Sequence, residues 1–309
     1  MGAPGSLFEV ENFLKNMFND PLILDIKNNF ARKMLASFIT HKRLEDTKKN
    51  YQAIGGKSPL LEHTANLVKT LNALDSKRLY TFAMRYTPPF AYGVLDELKS
   101  QNIESVVLFS LYPQFCTATI HSSLLDAKAA LQSLNFTPKL IEISHYHTHP
   151  SYIACIVEKI KQALKGEDPK DFVLLLSAHS LPQSRIEQGD PYQKQCQENK
   201  AALESALQQE GLRFKKIALA YQSKVGKMKW LEPSTKDAIT HFKDEKLIIF
   251  PLSFTLDNSE TDYELKILYA NHAQNLGVKD YRVCECFNAD VSFAHTIIEL
   301  IQGAKNETN

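Results

Sequence analysis

The chain reads as an α/β protein made of two successive halves, each a parallel sheet flanked by helices. Three observations predict this. Short apolar runs suited to buried strands, such as residues 172–176 and 247–250, alternate with amphipathic stretches of about 10–20 residues, as βαβ units require. The alternation stops near residues 145–170, at an acidic, Pro-containing turn, and then starts again. The length of 309 residues leaves room for two domains, expected over 1–150 and 151–309.

The opening Gly2-Ala3-Pro4-Gly5-Ser6 resembles a strand-to-helix turn, and Ser6 and Glu9 have capping-box spacing ahead of a helix over 10–18. The strand that such a turn follows is absent. The first sheet is therefore expected to lack an inner strand and to leave its neighbours short of ladder partners. Helical periodicity covers 22–38 and, after Ile54-Gly-Gly-Lys-Ser-Pro59, also 60–74. That loop lacks the first glycine and the preceding buried strand of a nucleotide loop, so it is not read as a phosphate site. Residues 79–86 are predicted as a strand ending in Arg85, followed by Thr87-Pro88-Pro89 and a helix to Ser100. Strands over 105–110 and 139–144 enclose a helix over 119–134.

His145, His147 and His149 alternate and would share one face of a strand. The segment abuts Pro150 and supplies no carboxylate or cysteine, so an exposed connection is predicted in preference to a zinc or copper site. A helix over 152–164 then leads into the second half. Its strands are expected at 172–177, 217–221, 247–251 and 281–284, with a last amphipathic helix over 291–301 that could pack back on the first half.

Composition excludes several classes. With 44% hydrophobic residues, 23% charged residues and a net charge of +1, the chain lacks the basic excess of a nucleic-acid binder. No apolar run approaches the ~20 residues needed to cross a bilayer, and the N-terminus lacks a signal-peptide pattern. These features leave peripheral membrane contact open. Five cysteines, an odd number and widely scattered, suit a reducing, cytoplasmic setting. Cys284 and Cys286 are expected to pack in the core.

The chemistry-bearing stretch is Phe172-Val-Leu-Leu-Leu-Ser-Ala-His179-Ser-Leu-Pro182, a strand buried on both faces that ends in an imidazole. In an open α/β sheet, ligands bind at the carboxyl ends of strands. A second strand, 247–250, leads through Asp257-Asn258-Ser259 to Glu260 and Glu264, which are four apart on a helix, with Leu268 continuing the line. An imidazole facing a carboxylate can hold a divalent metal loosely or take protons from a substrate. First-turn acids also simply complement the helix dipole, and spacing alone leaves both readings standing.

The motifs Ser177-Ala-His-Ser-Leu-Pro182, Gly189-Asp-Pro-Tyr192, Tyr221-Gln-Ser-Lys-Val-Gly226 with Trp230, and Ser259-Glu-Thr with Tyr263-Glu-Leu265 closely resemble ferrochelatase. So do Gly2-Ala-Pro4, Gly55-Gly-Lys-Ser-Pro59, Arg85-Tyr86 and Tyr112-Pro-Gln114, all in consistent order over nearly the whole chain. The resemblance implies two Rossmann-like, chelatase-type halves around a cleft, and an enzyme that inserts Fe²⁺ into protoporphyrin IX with release of two protons, the last step of haem synthesis. Porphyrin and ferrous iron are then substrates, with no permanently bound cofactor and no iron-sulfur cluster.

Carried across, His179 and Glu260 are the metal-binding, proton-accepting pair, and Glu264 is a relay. Ser58, Arg85, Tyr112 and Trp230 line the porphyrin pocket, with Arg85 on a propionate, and Tyr86 and Phe115 are further walls. Met1 favours protoporphyrin over coproporphyrin. Alternatives are a chelatase for coproporphyrin or sirohydrochlorin, or a non-catalytic tetrapyrrole carrier. The chain departs from relatives with an Asp-His-x-Glu order, since Asn258 stands at the His position, and Leu268 stands where the acidic line often continues.

Overall fold

The protein is described by a computed structural model over residues 1–224, 226 and 228–307. Val225, part of the Tyr221-to-Gly226 motif, lies outside the described residues. Contacts group the chain into two compact units, one of Met1–Ser110, Cys116–Ser144 and Ile297–Asn309, the other of Leu111–Phe115 and His145–Thr296.

The first unit contains α1 (Val10–Phe18), α2 (Asn29–Ala53), α3 (Leu60–Leu74), α4 (Ala91–Ser100), β1 (Ser105–Phe109), α5 (Ser122–Ser133) and β2 (Lys139–Ile143). β1 and β2 pair in parallel, and Val106 packs with Leu95 of α4 and Ala127 and Leu131 of α5. Three expectations change here. The Ser6–Glu9 capping box does not form; Glu9 takes the Gly5 N–H at 2.8 Å instead, and α1 starts without a side-chain cap.

The helix expected over 22–38 begins only at Asn29. Asp20 takes the Leu22 N–H at 2.8 Å and keeps the preceding residues in a turn, and Asn28 then caps α2 through the Ala31 N–H at 3.0 Å. α2 runs on to Ala53, and Gly55 and Gly56 close it at φ +92° and +84°, a conformation that favours glycine.

The strand expected over 79–86 forms no ladder. Tyr80 exchanges both of its main-chain groups with the Asn72 side chain, at 3.0 and 2.9 Å, and the Arg85 and Tyr86 N–H groups donate to the Met1 carbonyl. A strand exists only with a partner strand, and here a side-chain amide and a single carbonyl satisfy those groups.

The second unit contains α6 (Pro150–Leu164), β3 (Phe172–His179), α7 (Gln183–Glu187), α8 (Tyr192–Gln209), β4 (Lys216–Gln222), α9 (Thr235–His241), β5 (Lys246–Pro251), a π-helix (Glu260–Tyr269), α10 (Ala270–Asn275), β6 (Asp280–Val283) and the start of α11 (Val291–Glu307), which from Ile297 onward is grouped with the first unit. The four strands form a parallel sheet in the order β4-β3-β5-β6. β3 is central and covered on both sides, which explains its unbroken apolar run; Phe172, Leu174, Leu175 and Leu176 are fully buried.

Period-two alternation divides the strand between two layers. Val173 and Leu175 pack with Ile239 of α9 and with Leu265 and Tyr269 of the π-helix. On the sheet's helical cover, α6 packs on β5 and α8 on β4. Truncating Leu174 to Ala in such a core costs about 2–5 kcal/mol. Cys284 and Cys286 are buried as expected, and burial pushes the Cys284 thiol up to about 12, so it stays neutral.

Among the described residues, no helix is long and apolar enough to cross a membrane.

Candidate functional site

β3 and β5 are adjacent, but the chain leaves β3 for β4 on one side and leaves β5 for β6 on the other. Between them the strand order reverses. Diverging connections at such a point leave a crevice outside the carboxyl ends, where open α/β sheets take ligands. His179 is the last residue of β3, and the connection from β5 enters the π-helix at Glu260. The sheet therefore brings both residues to one edge of the second unit, at its switch point.

His179 lies two residues beyond Ser177 and four beyond Leu175, so its side chain emerges on the π-helix face. Its ring is partly exposed, and Nδ1 lies 2.7 Å from the Ser180 carbonyl oxygen. A carbonyl only accepts, so Nδ1 carries the proton and, in the neutral ring, Nε2 keeps a free lone pair. The His179 N–H donates to Ser253 Oγ at 3.2 Å, and that hydroxyl lies 2.5 Å from the Tyr192 hydroxyl. The Phe254 ring meets the imidazole edge-on at 6.4 Å.

The π-helix begins where Asn258 folds back on itself. Asn258 Oδ1 takes the Glu260 N–H at 2.8 Å, and the Asn258 carbonyl takes the Asp262 N–H at 2.8 Å. Bonds from i to i+5 widen the turn beyond four residues, and Glu260 and Glu264, four apart, stay neighbours on one side of it. Asp257 is buried beneath this start, with Asn288 donating to one oxygen at 2.7 Å and Lys266 to the other at 3.3 Å. Burial pushes the Asp257 carboxyl up, but Lys266, Asn288 and Thr261 outweigh it and hold the group below its ordinary value.

The two glutamates differ in their surroundings. Glu260 is partly exposed, and its Oε2 accepts from Ser259 Oγ at 3.1 Å. Glu264 accepts from four donors: Gln222 Nε2 at 3.0 Å, Ser223 N–H at 2.9 Å, Tyr269 O–H at 2.8 Å, and the Ser223 hydroxyl. Four donors match the lone-pair capacity of a carboxylate. Burial, reinforced by Glu264, pushes the Tyr269 phenol up and keeps it a donor.

The other expected site residues are distributed between the units. Trp230 bridges to Pro182 in antiparallel fashion beside the His179 loop, and the Leu231 N–H donates to the Leu181 carbonyl at 3.0 Å. Tyr112 is partly exposed in the second unit, in a segment anchored where Thr255 Oγ1 and the Tyr146 hydroxyl donate to Leu111 O at 2.7 and 3.1 Å. Phe115, partly exposed, is tied by its N–H to Gln195.

Ser58 and Arg85 belong to the first unit. Ser58 is buried, its N–H on the Pro4 carbonyl at 3.0 Å and its Oγ taking the Leu60 N–H at 3.3 Å. The Arg85 guanidinium pairs with Asp20 and Asp126, each at 3.2 Å, and donates to Ser122 at 3.0 Å. Its charge is thus already balanced by two carboxylates. Tyr86, expected as a wall, is 1% exposed and donates to Asp20 at 2.8 Å as part of the first unit's core.

The His145–His149 stretch is not an exposed connection throughout. His147 is buried and donates through Nε2 to Glu198 of α8 at 3.0 Å, a carboxylate distant in sequence. Burial pushes its imidazole down despite that acid. Among the described residues, no three or more His, Cys, Asp or Glu side chains converge as a metal cage.

Sequence reasoning quoted Gln222 and Asn258 within motifs but gave neither a role, and missed Ser253. Their importance depends on which main-chain groups they reach, and residue types carry no signal for that.

The ferrochelatase family's sequence model matches residues 1–305. The chain is 70% identical over 302 residues to a ferrochelatase of Helicobacter hepaticus, covering 98% of this chain and 97% of that one. It is 51% identical over 301 residues to a ferrochelatase of Wolinella succinogenes, covering 97% and 95%. A ferrochelatase of Helicobacter pylori strain J99 is 48% identical over 308 residues, covering 99% and 92%. Among solved structures, SirB from Bacillus subtilis with Fe³⁺ aligns with a TM-score of 0.60 at 10% identity, covering 80% of this chain and 90% of that chain. CbiX, the terminal enzyme of sirohaem synthesis in denitrifying bacteria, aligns at 0.54 and 17% identity, covering 80% and 93%. At such low identity these two likenesses show the α/β chelatase fold alone. The near-complete matches by sequence go further, and on them the chain belongs to the ferrochelatase family.

Proposed function

We propose that this chelatase inserts Fe²⁺ into protoporphyrin IX with His179 and Glu260 as the pair that meets the metal and the pyrrole protons. The observation that carries the reading is the arrival of both residues at the switch point between β3 and β5. Insertion forms four iron–nitrogen bonds and releases two pyrrole protons, so the site must loosely hold a divalent ion and accept protons. The Nε2 lone pair of His179, freed because Nδ1 is engaged by Ser180, serves both purposes. Glu260 adds one oxygen donor and a negative charge. One imidazole and one carboxylate leave most of the iron's coordination to water and substrate, so the ion can move on into the macrocycle.

Glu264 we assign to anchoring, because four donors already fill its oxygens. Trp230 and Tyr112 are proposed to contact the porphyrin from the second unit. Iron is substrate in this scheme, with no resident cofactor or iron-sulfur cluster. The proposed setting is the cytoplasm, which the free and buried state of all five cysteines supports. Contact with an anionic membrane surface is proposed through α2, where Phe30, Met34 and Phe38 are 76%, 61% and 64% exposed beside Lys33 and Lys42. Sedimentation with anionic but not neutral vesicles, lost in Phe30→Ser/Phe38→Ser, tests that contact.

The test of the chemistry is anaerobic turnover of free-base protoporphyrin with Fe²⁺, followed by loss of porphyrin fluorescence. His179→Ala and Glu260→Gln are each expected to lose about 10²–10⁴-fold in kcat while still binding porphyrin. Insertion at the parental rate by either variant refutes the assigned pair. A tetrapyrrole carrier would bind the porphyrin and leave its fluorescence untouched by the metal.

A further inference from the structure

Two residues proposed to act together sit on different elements, His179 on a strand and Glu260 on a helix, and something must fix one relative to the other. Gln222 occupies the required position. It ends β4 in register with His179, so the two are cross-strand neighbours on the same face. Its side chain is fully buried. Its Oε1 accepts from Ser177 Oγ at 2.7 Å, on the strand that carries the imidazole. Its Nε2 donates to the Glu260 carbonyl at 3.1 Å and to Glu264 Oε2 at 3.0 Å, on the helix that carries the acid. Its own carbonyl takes the Ser180 N–H at 2.8 Å, immediately after His179.

One amide thus bonds to the main chain or side chain of residues on both sides of the site. We propose that Gln222 is a positioning residue that sets the separation and orientation of His179 and Glu260, an inference that rests on their assignment above. An amide suits this task because it accepts from the Ser177 hydroxyl and donates to two oxygens at once, carrying no charge of its own. Ser177 is held in turn by Thr235 of α9, 2.8 Å away, so the strand-side partner is itself fixed. A metal ion that bridges two ligands without a cage depends on their spacing being set beforehand, and misplacement by about 1 Å can cost on the order of 10²-fold in rate.

The test uses Gln222→Met, which keeps the volume and removes both functions of the amide, and Gln222→Glu, which restores a donor only when protonated. In insertion assays well below the melting midpoint, Gln222→Met is expected to lose about 10–100-fold in kcat while the porphyrin Kd stays within about twofold. A purely structural role would lower active protein and porphyrin binding together.

In Gln222→Glu the new carboxyl faces Glu264 and Glu260 of the π-helix and His179 of β3; Ser177 and the α9 residue behind it, Thr235, carry no charge. The rate relative to the parent is expected to rise as pH falls and the neutral acid takes up the amide's donor role. Parental turnover in Gln222→Met, or a relative rate for Gln222→Glu that is flat with pH, overturns the positioning role. His179→Ala and Glu260→Gln, assayed alongside, separate the two claims. If they are inactive while Gln222→Met is not, only the positioning role fails; if they are fully active, the catalytic assignment itself fails.

Discussion

Glu264→Gln distinguishes an anchoring carboxylate from one that passes protons. The substitution preserves shape but converts one oxygen to an amide that donates. Oε1 serves the Ser223 N–H and the Tyr269 hydroxyl; Oε2 serves Gln222 Nε2 and the Ser223 hydroxyl. Whichever way the amide settles, two donors face a third. The hydroxyl in either pair can turn and accept, so one N–H donor remains stranded and the others exchange a charged acceptor for a neutral one. Hydrogen bonds to a charged group contribute about 1.5–3 kcal/mol, and a stranded buried donor costs about 1–3. Because the site is partly open to water, the lower ends apply, and the sum is about 2.5 kcal/mol. For a domain of this size, 1 kcal/mol shifts the midpoint by about 2–4 °C, so a fall of roughly 5–10 °C is expected in thermal melts. Below that midpoint, insertion should survive to within about tenfold of the parent, far above Glu260→Gln. A variant that melts with the parent yet inserts metal as poorly as Glu260→Gln would refute the anchoring argument and restore a proton-relay role.

Two further outcomes follow from the scaffold. Gly2 sits at φ +90°, and a Cβ there would lie 2.4 Å from Thr87 Oγ1, so Gly2→Ala combines a left-handed backbone cost of about 1–2 kcal/mol with a clash. Its melting midpoint should fall, and an unchanged one would contradict the docking of Met1 against Arg85 and Tyr86. The Asp257 carboxyl is held below its ordinary value in the folded chain, so its contribution to stability is fully present above the unfolded value of about 3.9 and disappears as pH falls through the folded one. Denaturant melts of the parent should therefore lose stability in that acidic window, and Asp257→Asn should be less stable at neutral pH and flatter below pH ~4; a parallel acid limb in the variant contradicts the pairing with Lys266.

The elements that were readable in the sequence are those whose partners are implied by their own pattern. β3 and β5 announce burial on both faces by unbroken apolar runs, and their helices follow from amphipathic spacing. Misreadings occur where a distant group decides the outcome. Residues 79–86 have strand-like residues but no neighbouring strand, and Asn72 takes the main-chain groups of Tyr80 in its place. His147 looked exposed because its acid, Glu198, lies 51 positions away on α8. Arg85, expected on a propionate from the family resemblance, is paired with Asp20 and Asp126, which lie on other segments and which its own neighbourhood in sequence does not reveal.

The same distinction holds within the candidate site. His179, Glu260 and Glu264 are visible as residue types able to hold metal or protons, and the reversal of strand order explains why the first two share an edge. Whether a given carboxylate is available depends on how many donors already surround it, and only coordinates reveal that Glu264 has four. Asn258 makes the point from the opposite direction. Its position, where the family resemblance leads to the expectation of an imidazole, looks like a deletion of function, but its amide accepts the Glu260 N–H at 2.8 Å and donates to the Leu256 carbonyl at 3.0 Å. Both ends of the side chain thus hold the turn that starts the π-helix. An imidazole placed there could imitate one of those bonds through one ring nitrogen, but its rigid ring could not reach both main-chain groups as the shorter amide does. In this chain the residue therefore shapes the approach to Glu260, and the proton-accepting imidazole of the proposed site is His179 alone.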